Sequence, residues 1–120
     1  MNDTIQGWFD KMYAGLKAQN WRQSTSDDRE ECLYRCDDGR RCAIGHILPD
    51  DSDPVKEPMA WARYGVGRAV KYIPGYDGGR DMFRFLRDAQ IEHDMTGYCD
   101  KPMEWRFRDL AARYGLKVPE

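Results

Sequence analysis

Apolar residues recur at three- and four-residue steps over three stretches of the chain, and each stretch predicts a helix. Ile5, Trp8, Phe9, Met12 and Leu16 share one face of a helix over residues 4–19. Asp3 or Thr4 can accept the orphan N–H groups at its start. Over residues 80–95, Met82, Leu86, Ala89 and His93 follow steps of four, three and four, with Phe83, Gln90 and Asp94 alongside. Thr96-Gly97 ends that helix. Residues 101–114 predict the third, capped by Asp100, with Pro102 in the first turn, where its missing N–H does no harm. Met103, Phe107, Leu110, Ala111 and Tyr114 mark its inward face, and Gly115-Leu116 reads as a Schellman stop. A weaker pattern over 58–72 lines up Ala62, Val66, Ala69, Val70 and Ile73. Gly65 and Gly67 each weaken it by about 1 kcal/mol relative to Ala and predict a break. Residues 20–30, 49–58 and 73–79 are polar or proline- and glycine-rich without periodicity, and read as loops.

One stretch follows a different rule. Residues 31–35 and 41–44 are short strand-like runs around Cys36-Asp37-Asp38-Gly39-Arg40, which predicts a β-hairpin over about residues 31–45. A two-residue turn at Asp38-Gly39 pairs Arg35 with Cys42 and sets Cys32 and Cys36 on the face opposite Cys42. A three-residue loop, Asp37-Asp38-Gly39 with Gly39 left-handed, pairs Tyr34 with Cys42 and Cys32 with Ile44. The second register puts Cys32, Tyr34, Cys36, Cys42 and Ile44 on one face and leaves Arg35 and Arg41 on the other, and a sheet with one buried face selects it. The expected fold is therefore α+β: one small hairpin packed against about four helices, in a single domain over 1–120.

Composition narrows the classes. With 41% hydrophobic and 33% charged residues, and four Trp, seven Tyr and four Phe, the chain has the makings of a core. A net charge of −2 argues against a generic polyanion binder. No apolar run approaches the ~20 residues that cross a bilayer, and the first residues lack the charged-then-apolar order of a secretory signal. The expectation is a cytoplasmic protein with reduced thiols and no membrane partner.

The residues Arg41-Cys42-Ala43-Ile44-Gly45-His46-Ile47-Leu48-Pro49-Asp50 resemble a C-A-I-G-x-L-I-P-D signature found in small uncharacterised proteins of tailed phages and prophages. Cys32, Tyr34, Arg35 and Gly39 match the C-x-Y-R and turn glycine that precede it there. Ala89-Gln90-Ile91-Glu92-His93-Asp94, then Trp105 and Gly115-Leu116, match a downstream L-Q-x-x-H-D and a tryptophan-bearing helix ending in G-L. Cys36 stands where that family usually has Gly, Ala89 where it has Leu, and Cys99 has no counterpart. The resemblance implies a phage-encoded protein at work in the host cytoplasm. It carries no activity with it.

The candidate chemistry is partial. Cys32, Cys36, Cys42 and His46 are candidate zinc ligands, with His93 and Cys99 as further donors. A structural site needs two close pairs, however, and Cys32 and Cys36 lie about 13 Å apart on an extended strand at ~3.3 Å per residue. Cys42, His93 and Asp94 are the ingredients of a thiol nucleophile with base and orienter. Consecutive helical residues diverge by about 100°, so His93 and Asp94 are expected not to face each other. The expected arrangement is a joint between helix and hairpin in which His93 bonds a backbone carbonyl and Asp94 caps or pairs with an arginine such as Arg35. Its hub comprises Cys32, Tyr34, Arg35, Gly39, Cys42, Gly45, Gln90, His93 and Asp94. Asp50, Asp51 and Asp53 read as turn and capping residues. Arg80, Arg84 and Arg87, with Arg106, Arg108 and Arg113, could serve nucleic acid, but neighbouring acids offset them. Trp21, Trp61, Phe85 and Trp105 fall off the helical stripes and are candidate binding anchors. The expected function is a phage-type accessory protein that binds another macromolecule, with a protein partner, and inhibits host machinery or defence. The alternatives are a thiol- or metal-dependent enzyme using Cys42 and His93, and a zinc-stabilised nucleic-acid adaptor.

Overall fold

The computed structural model describes residues 3–25, 32–56, 69–96 and 99–119, and these are mainly helical. Four α-helices are α1 (Asp3–Ala18), α2 (Asp53–Lys56), α3 (Arg80–Asp94) and α4 (Met103–Tyr114). Two single 3₁₀ turns, Ile44–His46 and Val70–Tyr72, accompany them among the described residues.

The three long helices form where the apolar periodicity places them. α1 buries Ile5, Trp8, Phe9, Met12, Tyr13 and Leu16. It ends on Asn20, whose φ of 58° is the left-handed conformation that asparagine tolerates. Trp21 follows with the same φ, which is rare for a bulky residue. Its N–H bonds the Leu16 carbonyl at 2.8 Å, and its ring packs edge-on against Tyr13 at 4.9 Å and beside Phe107 at 6.2 Å. α3 and α4 run antiparallel, since Arg106 bonds the Glu92 carbonyl and Thr96 while Tyr114 meets Asp88 and Phe85 further back along α3. Gly115, at φ 67°, closes α4 with the Leu116 N–H on the Ala111 carbonyl at 2.8 Å, the predicted Schellman stop. The cap at the other end differs from expectation: α4 begins after Pro102, and no side chain caps it.

The predicted hairpin does not form. Among the described residues there is no strand and no sheet, so the α+β class is replaced by a mainly helical one. A single bridge joins Arg35 to Arg41 around the Gly39 turn, and pairing goes no further. Cys32 bridges Thr25 in place of Ile44. The reason lies in what takes the backbone groups. Gln19 Oε1 accepts the Arg41 N–H at 3.0 Å and its Nε2 donates to the Arg41 carbonyl at 2.8 Å. Gln90 Oε1 accepts the Ile44 N–H at 3.1 Å. Side-chain amides thus replace a neighbouring strand, and buried backbone groups need only one such partner. The chain turns at Ile44–His46 because Gly45 lies directly on Tyr34: a Cβ there would stand 1.9 Å from the Tyr34 carbonyl oxygen.

Loops differ in smaller ways. The stretch 49–58 contains α2, and of the predicted 58–72 helix the described part is Ala69 and the turn Val70–Tyr72, with Ala69, Val70 and Ile73 buried; the remainder lies outside the described residues. One core joins α1, the Ile44–His46 turn, α3 and α4, centred on Phe9, Met12, Ile44, Leu86 and Phe107.

Candidate functional site

The C-terminal end of α3 meets the Ile44–His46 turn and the segment 23–25. Gln90 and His93 are fully buried there, and Asp94 reaches partly into solvent. The Ser24 N–H donates to His93 Nε2 at 3.0 Å. That bond fixes the ring: Nε2 offers its lone pair, so Nδ1 carries the proton. Nδ1–H then donates to Asp94 Oδ1 at 2.8 Å. The expectation that these consecutive residues would diverge is overturned, because the short carboxylate arm folds back along the helix end onto the ring. His93 bonds a backbone N–H in place of the expected carbonyl. Among the described residues Asp94 pairs with no arginine; Arg35 instead meets Asp50 at 2.7 Å and the Leu48 carbonyl at 2.7 Å.

Asp94 gathers donors. Gln90 Nε2 donates to the same Oδ1 at 2.9 Å while its Oε1 holds the Ile44 N–H. Burial, then the Asp94 charge and a hydrogen bond to it, pushes the Cys32 thiol far above its ordinary range, so it stays protonated and donates to the carboxylate. Gln23 Nε2 lies 3.6 Å from Cys32 Sγ and bonds the carbonyls of His93 at 3.4 Å and Asp94 at 3.3 Å, tying off the helix end. Cys42 is fully buried; burial raises its thiol to about 12, and it accepts the Gly45 N–H at 3.3 Å.

The structure therefore brings together Cys32, Cys42, Gln90, His93 and Asp94. Cys36 sits apart on Ser24 Oγ at 3.2 Å and the Thr25 carbonyl at 3.3 Å. His46 lies on the far side of its turn, over Gly15 of α1, with Nε2 on Gln19 Oε1 at 3.0 Å. Burial, with Arg41 next, lowers its pKa to about 4. Cys99 is exposed. Tyr34 is buried in the core beneath the turn, where Gly45 crosses its carbonyl. The zinc set Cys32, Cys36, Cys42 and His46 is thus not assembled around one point.

A different trio is. Cys32, His93 and Asp94 place one donor atom each within 4.8 Å of one another. Zinc bound at Nδ1 needs that nitrogen's lone pair, which moves the proton to Nε2 and sets it against the Ser24 N–H, donor facing donor. The ring as held does not fit a metal there. For a thiol nucleophile the ring is turned the wrong way: Nε2 accepts the Ser24 N–H and Nδ1 carries its proton toward Asp94, so neither nitrogen is open to take a proton from Cys32 or Cys42.

Sequence patterns gave no sign of Gln19, Gln23 or Ser24. They lie at a helix end and in a polar loop, and the partners that make the site, Arg41, His93 and Asp94, are 22 to 71 residues away. Of the anchor candidates, Phe85 is fully buried and Trp21 is packed on the core. Trp105 is 48% exposed, with the Lys101 ammonium 5.3 Å from its ring centre. Trp61 lies outside the described residues. The sequence also hid two exposed apolar residues, Ile91 on α3 and Met95 at its C-cap.

The chain matches no protein-family model, and neither a curated protein nor a solved structure is significantly similar to it. No helix among the described residues is long and apolar enough to cross a membrane.

Proposed function

We propose that this protein is a small phage-type accessory protein that works in the host cytoplasm as a binding module, recognising another macromolecule and inhibiting host machinery or defence. The phage context rests on the motif resemblance alone. The observation that carries the binding reading is the Ser24 N–H on His93 Nε2. It turns the Cys32, His93 and Asp94 cluster, found among the described residues, into a closed hydrogen-bonded clasp in which the imidazole has no lone pair open to a thiol. Supporting it, Trp105, Ile91 and Met95 stand exposed on the outer helices, where large apolar side chains serve contact.

The test is capture from host and phage-infected lysates with the wild-type protein and with Trp105→Ala/Ile91→Ser. Specific retention by the wild type and its loss in the variant, with an unchanged melting curve, is expected. If no partner is retained, and a thiol-directed or hydrolytic activity appears that Cys42→Ala and His93→Gln abolish, the enzyme alternative replaces this reading.

A further inference from the structure

Opposite its buried stripe, α3 carries a second one. Arg80, Arg84, Arg87, Ile91 and Met95 follow steps of four, three, four and four, and all five are exposed. They extend for about 22 Å along the helix. Trp105 joins the apolar end. Arg106 points inward onto the Glu92 carbonyl, and the Glu92 side chain faces Arg113 of α4. In an antiparallel pair at ~100° per residue, the residue preceding each inward-facing one turns to the same outer side. Ile91 and Trp105 are those residues. At 45%, 38% and 48% exposed, Ile91, Met95 and Trp105 are the large hydrophobic residues most open to solvent among those described.

The charge along this stripe is net positive, with Arg80, Arg84 and Arg87 all exposed. Asp88 accepts the Tyr114 hydroxyl at 2.5 Å and lies 3.4 Å from Arg87. Asp109 and Glu92 both pair with Arg113. Glu92 and Asp109 are thus taken up by Arg113, and Asp88 offsets Arg87 in part; exposed Asp81 lies about 100° round the helix from Arg80, while Arg80 and Arg84 form no ion pair with another described residue. Deepening the binding-module reading, on which it rests, we propose that the outer face of α3 and α4 docks an acidic amphipathic helix of a partner protein. Carboxylates of that helix meet Arg80, Arg84 and Arg87, and aliphatic anchors fill the patch of Ile91, Met95 and Trp105. Such helices present apolar side chains at the same three-and-four spacing. Single-stranded nucleic acid fits less well, because Ile91 and Met95 offer no ring to stack on.

The probe is a synthetic helical peptide of about five turns, with Leu on one stripe and Glu beside it. A scrambled version, a Lys-for-Glu version and oligothymidylate are the comparisons. Titrated against the isotope-labelled protein, the Glu peptide is expected to shift amide resonances of 80–95 and 101–112 only, with affinity falling about tenfold at high salt. The triple variant Arg80→Glu, Arg84→Glu, Arg87→Glu should lose the Glu peptide and gain the Lys peptide, a swap that a misfolded variant cannot produce. Equal binding of the scrambled peptide, preference for the oligonucleotide, shifts elsewhere, or self-association that covers this face in sedimentation would each overturn the proposal. A lysate partner whose capture ignores the triple variant would sink this inference and leave the binding reading standing.

Discussion

At the scale of single residues, His46 shows how one contact couples fold to pH. Its ring sits where a side chain at position 15 would be: a Cβ on Gly15 would stand 2.2 Å from Nδ1. Burial first, then Arg41, His93 and Arg35, disfavours the imidazolium, so the folded pKa is about 4 against an ordinary 6.5. The unfolded chain therefore binds the proton more readily between those values. This contribution to stability is complete above about pH 6.5 and is lost as pH falls toward 4. At about 1.4 kcal/mol per unit, reduced for the partly exposed ring, it amounts to roughly 2 kcal/mol. Denaturant unfolding at a series of pH values should show this slope in the wild type and a flatter one in His46→Gln. The residue was legible in the sequence as a motif member and a candidate ligand. Its partner Gly15 was not, because a glycine within a helical pattern reads as a weak helix former and its neighbour is 31 positions away.

At the scale of elements, glutamine side chains hold helices to irregular chain. Gln6 repeats on the C-terminal tail what Gln19 does on Arg41: its Oε1 accepts the Lys117 N–H at 2.9 Å and its Nε2 donates to the Lys117 carbonyl at 2.8 Å. Gln19→Leu leaves the part-buried Arg41 N–H and carbonyl, and His46 Nε2, without this partner. It should lower unfolding free energy by about 1–3 kcal/mol. Gln6→Leu, at an exposed site, should cost less than about 1 kcal/mol. Chemical denaturation of both variants checks the ranking. The same amides explain which elements the sequence disclosed. α1, α3 and α4 write themselves in apolar steps of three and four, because burial against a core demands it. The stretch 32–46 alternates like a hairpin, but alternation records only which side chains want to be inside. It is silent on whether the backbone's partners come from a strand or from Gln19 and Gln90. The site was half legible for the same reason. Cys42, Gln90, His93 and Asp94 were singled out, whereas Ser24, which decides the state of His93, has no pattern of its own.

At the scale of the whole molecule, with a radius of gyration of 13.2 Å, the clasp at His93 joins segments from early, middle and late in the chain. A metal there would have to break it. Added zinc should therefore leave the melting temperature unchanged, and chelator treatment of the purified protein should do the same, as scanning calorimetry with and without each would show. A rise in melting temperature on zinc addition that disappears in Cys32→Ser would mean that the ring is not held as described.

The bond from Ser24 to His93 spans 69 residues. Drawing together chain positions so far apart carries a loop-closure cost that local helix contacts do not. The α3–α4 pair, by contrast, is closed by a connection of only a few residues. The clasp is thus expected to form late, after the barrier to folding has been passed. Its removal would then act on persistence more than on formation. In stopped-flow chevrons, His93→Gln should speed unfolding by most of its equilibrium effect and leave the folding limb nearly in place, whereas Leu86→Ala in the α3 core should slow folding as well. The histidine that looked like a catalyst's base would then act as a latch on the native state's lifetime.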